Sequence, residues 1–195
     1  MEELSQKKVT STWALILLKN NFTKSYRRWT SVNKKHMRIL AIDPGFERMG
    51  VAIIDKTVKP KHELVYSNCF KTSAKIPFHE RLTLIGKELE LIIKKYKPEA
   101  LAIEKLYFTN NQKTVMGVSE ARGVMIYCAS HNGLKIFEYT PPQIKIAVTG
   151  YGKSTKDGIM SMIPKLIDIK TKTNSDDELD AIAIGITCLA CERFK

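Results

Sequence analysis

The chain has 195 residues, and its 32 Lys and Arg against 20 Asp and Glu leave a formal net charge of +12. This length suits one domain with an ordinary hydrophobic core, and the charge favours nucleic acid or an anionic membrane surface as the partner. The longest apolar run near the start, Trp13–Leu18, is six residues long. A membrane span needs about 20 residues and the apolar part of a secretion signal at least about 7, so we expect a cytoplasmic protein with no membrane segment.

Cysteine and histidine usage disfavours a zinc protein. The four cysteines fit a reducing compartment, and the single pair with C-x-x-C spacing, Cys188 and Cys191, lies in the last predicted helix. Structural zinc normally takes four ligands, and no second pair supplies them. The four histidines show no metal-ligand spacing either.

The positive charge is uneven along the chain. Residues 1–36 hold eight Lys and Arg and two Glu, a net +6 that is half of the whole excess. We interpret 1–36 as a basic N-terminal extension. It is either flexible or a start-site artefact, in which case Met37 is the true first residue. The alternative is a short basic arm that binds DNA.

From Met37 onward the pattern alternates between strands and helices. Three strands come first, with a turn at Pro44-Gly45, and helices with an apolar period then alternate with further strands. Capping-box patterns begin the helices after Thr140 and Ser175. The predicted strands are 38–43, 48–55, about 62–70, 100–104 and 134–139, and the predicted helices are 77–96, 114–130, one from 140, one near 155–168 and one from 175. This order predicts an α/β domain over residues 37–195, with a mixed central β-sheet flanked by helices.

Four acidic residues stand in positions that point to chemistry. Asp43 and Glu104 each end a run of aliphatic residues, and Asp177 and Asp180 lie three apart where an apolar helix begins. A buried charge needs a partner, and a cluster of carboxylates repels itself unless cations lie in it. Oxygen ligands suit Mg²⁺ or Mn²⁺, and two such ions can stabilise both the attacking and the leaving oxygen of a phosphodiester. We therefore predict a metal-dependent nuclease.

Four sequence blocks carry a resemblance to a known family. They are Ile39-Leu-Ala-Ile-Asp-Pro-Gly45, Ala102-Ile-Glu-Lys-Leu106, Glu120-Ala-Arg-Gly123 and Asp177-x-x-Asp180-Ala-Ile-Ala-Ile184. In order and spacing they resemble the RuvC family of bacterial Holliday-junction resolvases, from about Met37 to about Cys191. The resemblance implies an RNase H-like fold and symmetric nicking of four-way DNA junctions in recombination and repair, leaving 5′ phosphates. It also implies two Mg²⁺ ions at Asp43, Glu104, Asp177 and Asp180, a homodimer, and a branch-migration helicase partner of the RuvA and RuvB type.

The resemblance also marks supporting basic residues. Lys145 and Lys156 fall where the family carries lysines, and each could contact a phosphate oxygen as charge builds in the transition state. Lys113 and Lys153 are further expected DNA contacts. Arg122 either contacts the DNA backbone or braces Glu120. Gly123 is expected to permit close packing of its helix.

The segment after Glu104 carries Lys105, Tyr107 and Phe108. An aromatic side chain beside a metal site can wedge into a junction or stack on an unpaired base. We expect Tyr107 to be the exposed member of the pair.

Three other functions compete with a junction resolvase. One is another RNase H-like nuclease acting on RNA or hybrids, and a second is a junction-binding protein without activity, which the complete acidic quartet disfavours. The third, an actin-like ATP-binding domain, requires a chain nearly twice this long.

Overall fold

A computed structural model describes residues 37–106, 112–170, 173 and 175–193, with the side chains of Gln112 and Lys113 left undescribed. The predicted extension 1–36 lies outside these residues. A six-stranded sheet has the order β5-β4-β1-β2-β3-β6, formed by β1 (Arg38–Asp43), β2 (Arg48–Asp55), β3 (His62–Lys71), β4 (Ala100–Glu104), β5 (Lys135–Tyr139) and β6 (Ile167–Asp168). The antiparallel pairs are β1–β2 and β2–β3, and the parallel pairs are β1–β4, β4–β5 and β3–β6.

Five helices cover the two faces of this sheet in the described chain. They are α1 (Phe78–Tyr96), α2 (Gln112–His131), α3 (Pro141–Thr149), α4 (Lys156–Leu166) and α5 (Asp176–Cys191). The apolar stripes of α1 and α2 pack on one face and those of α3, α4 and α5 on the other. Each fully buried Ile or Leu contributes roughly 1.5–3 kcal/mol to folding. The predicted α/β class and mixed sheet are thus confirmed.

Helix α5 lies unusually close to the sheet because two glycines remove side chains from the interface. A Cβ on Gly185 would lie 2.5 Å from Ile54 Cδ1 and 3.1 Å from Ala41 Cβ. A Cβ on Gly50 would lie 2.0 Å from the carbonyl oxygen of Asp177. The first turn of α5 therefore sits directly on β2, and no larger residue fits at Gly50 without moving it.

Two expectations about local structure need correction. The helix predicted near 155–168 ends at Leu166, because Ile167 and Asp168 pair with β3 and bury Ile167 at the sheet edge. Gly123 is exposed, and a Cβ there would meet nothing within 4 Å, so it does not serve close packing. Gly117 has that role on the same helix, because a Cβ there would lie 3.0 Å from the Phe46 ring.

No helix in the described part of the chain is long and apolar enough to cross a membrane.

Candidate active site

Two of the four predicted carboxylates end neighbouring strands. Asp43 is the last residue of β1 and Glu104 the last of β4, and the pairing of Ile42 with Ile103 one position earlier puts them side by side. Adjacent strands lie about 4.8 Å apart. Both side chains project toward the face covered by α5, because alternate residues share a face and Ala41 and Ala102 pack there.

The other two carboxylates come from the first turns of α5. Ser175 caps this helix, and its hydroxyl accepts a hydrogen bond from the Glu178 N–H at 3.3 Å. Asp43 pairs with Gly50 in the β1–β2 register, and the start of α5 rests on Gly50. The structure therefore places all four acidic residues near the end of the sheet where β1 and β4 finish.

A small cavity lies between these elements. It has a volume of about 180 Å³, and its lining includes Asp43, Glu104, Asp180 and Lys145. A second cavity of about 330 Å³ shares Asp43 and Glu104 and extends past Lys105 along α2. The two strand-end carboxylates thus stand where both cavities meet.

The surroundings of Asp43 and Glu104 disfavour the ionised form of both carboxyl groups. Burial, followed by repulsion from Glu104, Asp180 and Asp177, raises the pKa of Asp43 to about 7. Burial and then repulsion from Asp180 raise the pKa of Glu104 to about 7. Both carboxylates would gain from a nearby cation.

Lys156 partly neutralises Asp180. Its Nζ lies 3.1 Å from Asp176 Oδ2 and 3.5 Å from Asp180 Oδ2. Burial raises the pKa of Asp180, and Lys156 opposes that rise without cancelling it. The lysine that the resemblance marks is therefore at the site, at the start of α4.

Asp177 has partners that the sequence did not suggest. Its Oδ2 accepts hydrogen bonds from Arg48 Nε at 2.9 Å, from Arg48 Nη2, and from the Cys69 thiol at 3.4 Å. Burial raises the pKa of Asp177, but the hydrogen bonds from Arg48 and Cys69 outweigh burial and the net change is downward. Arg48 is the first residue of β2, where the local sequence gives no sign of a functional role, and its contact with Asp177 depends on how α5 docks on the sheet.

The remaining predicted basic residues differ in how near they are to the carboxylates. Lys145 is half-buried in the cavity wall, whereas Lys105 and Lys153 are exposed, Lys105 directly after Glu104 and Lys153 in the loop before α4. Arg122 donates to the Glu104 carbonyl at 2.9 Å and forms an ion pair with Glu138. It therefore braces the end of β4 rather than Glu120, and the alternative, a contact with the DNA backbone, stays a prediction. Tyr107, Phe108 and the side chain of Lys113 lie outside the described residues.

Glu178 and Gly45 have structural roles beside the site. Glu178 is buried, takes part in the Ser175 cap and accepts a hydrogen bond from the Ser67 hydroxyl at 2.6 Å. A Cβ on Gly45 would lie 2.1 Å from the Arg48 carbonyl oxygen, so no larger residue fits there without a shift of the turn.

The donor chemistry fits a divalent cation. In the described part of the chain, no three His, Cys, Asp or Glu side chains are already grouped closely enough to hold one ion. Arg48 and Lys156 engage Asp177 and Asp180, while Asp43 and Glu104 repel each other. Hard oxygen donors with excess negative charge suit Mg²⁺ or Mn²⁺.

A mixed sheet with carboxylates from two parallel strand ends and one helix, in a basic chain, defines a nuclease of the RNase H-like class. The chain belongs to the RuvC family: the family model "Crossover junction endodeoxyribonuclease RuvC" matches residues 39–188. A RuvC from Fusobacterium nucleatum is 42% identical over 151 residues, covering 77% of this chain and 79% of the relative. One from Desulfitobacterium hafniense is 40% identical over 150 residues, covering 77% and 90%. Nucleases of this family are metal-dependent.

Solved structures agree with this assignment. The T. thermophilus RuvC in complex with Holliday junction substrate superposes with a TM-score of 0.75 at 27% identity, covering 80% of this chain and 94% of that one. The yeast mitochondrial Holliday junction resolvase Ydc2 has a TM-score of 0.61 at 11% identity, covering 80% and 78%, and shows the shared fold. The predicted RNase H-like fold and family are confirmed.

Proposed function

We propose that this chain is a crossover junction endodeoxyribonuclease that nicks four-way DNA junctions during homologous recombination and DNA repair. The observation that carries the proposal is the meeting of Asp43, Glu104 and Asp180 in one cavity, with Asp177 on the adjoining helix turn. The names of the relatives and the junction-bound T. thermophilus neighbour support the same substrate.

Asp43, Glu104, Asp177 and Asp180 would hold two Mg²⁺ ions, or Mn²⁺ in their place. Bound there, the ions supply an activated water and stabilise the charge on the departing 3′ oxygen. Asp43 has the central position because its strand, β1, lies between β2 and β4 and its side chain is half-buried beside the start of α5. The cleaved strand would end in a 5′ phosphate and a 3′ hydroxyl.

Lys145 and Lys156 would act on the phosphate itself. Lys145 lines the same cavity as three of the carboxylates, so its ammonium group can reach a phosphate oxygen bound between them. Lys156 is exposed, and its ion pairs within the described residues are with Asp176 and Asp180. It can turn to DNA when a cation takes over the neutralisation of Asp180.

Further junction contacts would come from the rim of the site. Lys105 and Lys153 are exposed and free to bind phosphates, and Tyr107, Phe108 and Lys113 remain predicted contacts. The Arg122 guanidinium is occupied inside the protein by Glu104 and Glu138, which favours a bracing role over a direct DNA contact.

A homodimer would match the two-fold symmetry of a four-way junction, because two equivalent sites can nick opposite strands. Met116 and Tyr127 support a dimer: both are 65% exposed, and eleven positions apart they lie on the same side of α2. A branch-migration helicase complex of the RuvA and RuvB type is the partner that family membership suggests.

A substrate panel tests the proposed function. The protein is incubated with Mg²⁺ and an end-labelled four-way DNA junction, a linear duplex of the same arm sequence, or an RNA–DNA hybrid. We expect cleavage of the junction and little of the other two. Preferred cleavage of the hybrid would favour the rival RNase H-like activity, and junction binding without cleavage would favour a non-catalytic protein.

A further inference from the structure

The first turn of α5 rests on a specific patch of the β2–β3 hairpin. Arg48 and Gly50 share one face of β2 because they are two residues apart. Gly50 pairs with Cys69 and Ala52 with Ser67 on β3, so these two β3 residues face the same side. Residues of this patch meet the acidic first turn of α5.

Each member of the patch meets the helix differently. A Cβ on Gly50 would lie 2.0 Å from the Asp177 carbonyl oxygen, so the glycine sets how closely α5 approaches the sheet. Ser67 donates to the Glu178 carboxylate at 2.6 Å, and Cys69 donates to Asp177 at 3.4 Å. Arg48 approaches the same Asp177 oxygen with two nitrogens. The patch thus fixes the backbone of the turn and the side chain of one predicted metal ligand.

The three hydrogen bonds that Arg48 and Cys69 donate to Asp177 converge on Oδ2, and none of the three uses Oδ1. A carboxylate held through one oxygen loses the rotational freedom that a surface aspartate otherwise has. Partners that hydrogen-bond a ligating carboxylate in this way orient it toward the metal.

We propose that Arg48 is a positioning residue: with the help of Cys69 it holds Asp177 through Oδ2 and thereby orients this carboxylate for binding a divalent cation. The inference rests on the proposed function, because it takes Asp177 as a ligand of the nuclease site. Arg48 itself touches neither the cavity nor the two strand-end carboxylates among the contacts described.

Charge alone makes the opposite prediction, and this makes the proposal testable. A guanidinium beside a cation site repels the cation, so a purely electrostatic Arg48 would weaken metal binding and its removal would strengthen it. A positioning Arg48 strengthens metal binding despite its charge. The sign of the change on substitution therefore separates the two roles.

The test compares Arg48→Met and Arg48→Lys with the full-length wild-type chain. Binding of MnCl₂ and MgCl₂ is measured by titration calorimetry without DNA, and junction binding by fluorescence anisotropy in EDTA. Lys170→Met is the matched control, because Lys170 forms an exposed ion pair with Glu63, a residue of β3 that pairs with β6 at the edge of the sheet.

We expect Arg48→Met to weaken metal binding about 10- to 100-fold, the usual effect of losing such a partner. Arg48→Lys keeps the charge but loses the two-nitrogen contact, and it should fall between Arg48→Met and wild type. The control should bind metal as wild type does, and junction affinity in EDTA should be unchanged in all variants.

Unchanged or tighter metal binding in Arg48→Met would overturn the proposal, as would a loss of junction affinity in EDTA, which would make Arg48 a phosphate contact. If Arg48→Met does not fold, Arg48→Lys decides, with wild-type metal affinity as the refuting result. Wild-type junction cleavage is assayed in parallel. A wild type that binds metal but does not cut the junction refutes the proposed function while the metal comparison still stands.

Discussion

Replacing Asp43 by Asn should stabilise the protein while it removes the activity. The pKa of Asp43 is raised to about 7 from 3.8, mainly by burial and by repulsion from Glu104. Each pH unit corresponds to about 1.4 kcal/mol, so ionising this group in the folded state costs about 4 kcal/mol. An amide of the same shape has no charge but still loses part of its hydration. We expect Asp43→Asn to raise the free energy of unfolding by roughly 2–4 kcal/mol at pH 8 in EDTA.

The sign of this effect depends on pH in a defined way. Below about pH 4 the Asp43 carboxyl is protonated in both the folded and the unfolded state, so it gives no difference between them. Between about pH 4 and pH 7 the unfolded chain ionises Asp43 while the folded protein keeps it protonated, so the wild type loses stability across this window and the Asn variant does not. The two proteins should therefore have similar stability near pH 4 and differ most at pH 8.

Urea unfolding at pH 4.5 and pH 8, followed by circular dichroism, measures both effects. Asp168→Asn, at an exposed position of β6, is the control and should change stability by no more than about 0.5 kcal/mol. Added Mg²⁺ should stabilise the wild type and leave Asp43→Asn almost unaffected, with junction binding retained. If Asp43→Asn is no more stable than wild type at pH 8, the ionised Asp43 carboxylate does not destabilise the folded protein, and the interpretation is refuted.

Three further predictions concern metal, loop and extension. Because protons compete with the cation at Asp43 and Glu104, the Mg²⁺ concentration for half-maximal cleavage should fall as pH rises from 6 to 8; a flat dependence would count against both ligands. Tyr107→Ala should reduce turnover on junctions more than binding, with stacking worth roughly 1–3 kcal/mol; normal turnover with a lowered melting temperature would identify a core residue. Deleting residues 1–36 should preserve the fold and cleavage and flatten the salt dependence of DNA binding, by about 0.9 in slope per lost phosphate contact; an unchanged slope would mean that the extension does not bind DNA, and collapse of the fold would refute the boundary at Met37.

The strand-end carboxylates could be predicted because the residues next to them in sequence indicate their positions. An aliphatic run that ends in an acid, as at Asp43 and Glu104, indicates both a buried strand and the position of its charged tip. The helix pair Asp177 and Asp180 was marked by a capping pattern followed by apolar residues. These signals depend on only a few neighbouring residues, so they can be recognised from the sequence alone.

The supports of those carboxylates could not be predicted in the same way. Arg48 lies 129 positions from Asp177 and Cys69 lies 108 positions from it, and they meet only through the β2–β3 register and the docking of α5. Close packing was assigned to Gly123, whereas Gly50 and Gly185 provide it at α5, because sequence does not show which glycine faces a neighbouring backbone. The two-residue strand β6 is too short to have a period.

The most direct measurement of the proposed activity is the chemistry of the nicks themselves. A four-way junction labelled on each strand in turn is cut by the wild type with Mg²⁺, with EDTA, and by Glu104→Gln with Mg²⁺, and the products are treated with DNA ligase. We predict Mg²⁺-dependent nicks at matching positions in two opposite strands, sealed by ligase because the ends are 5′ phosphate and 3′ hydroxyl, and none with EDTA or Glu104→Gln. Cleavage that persists in Glu104→Gln or in EDTA, or nicks that ligase cannot seal, would contradict a metal-dependent resolvase built on these carboxylates.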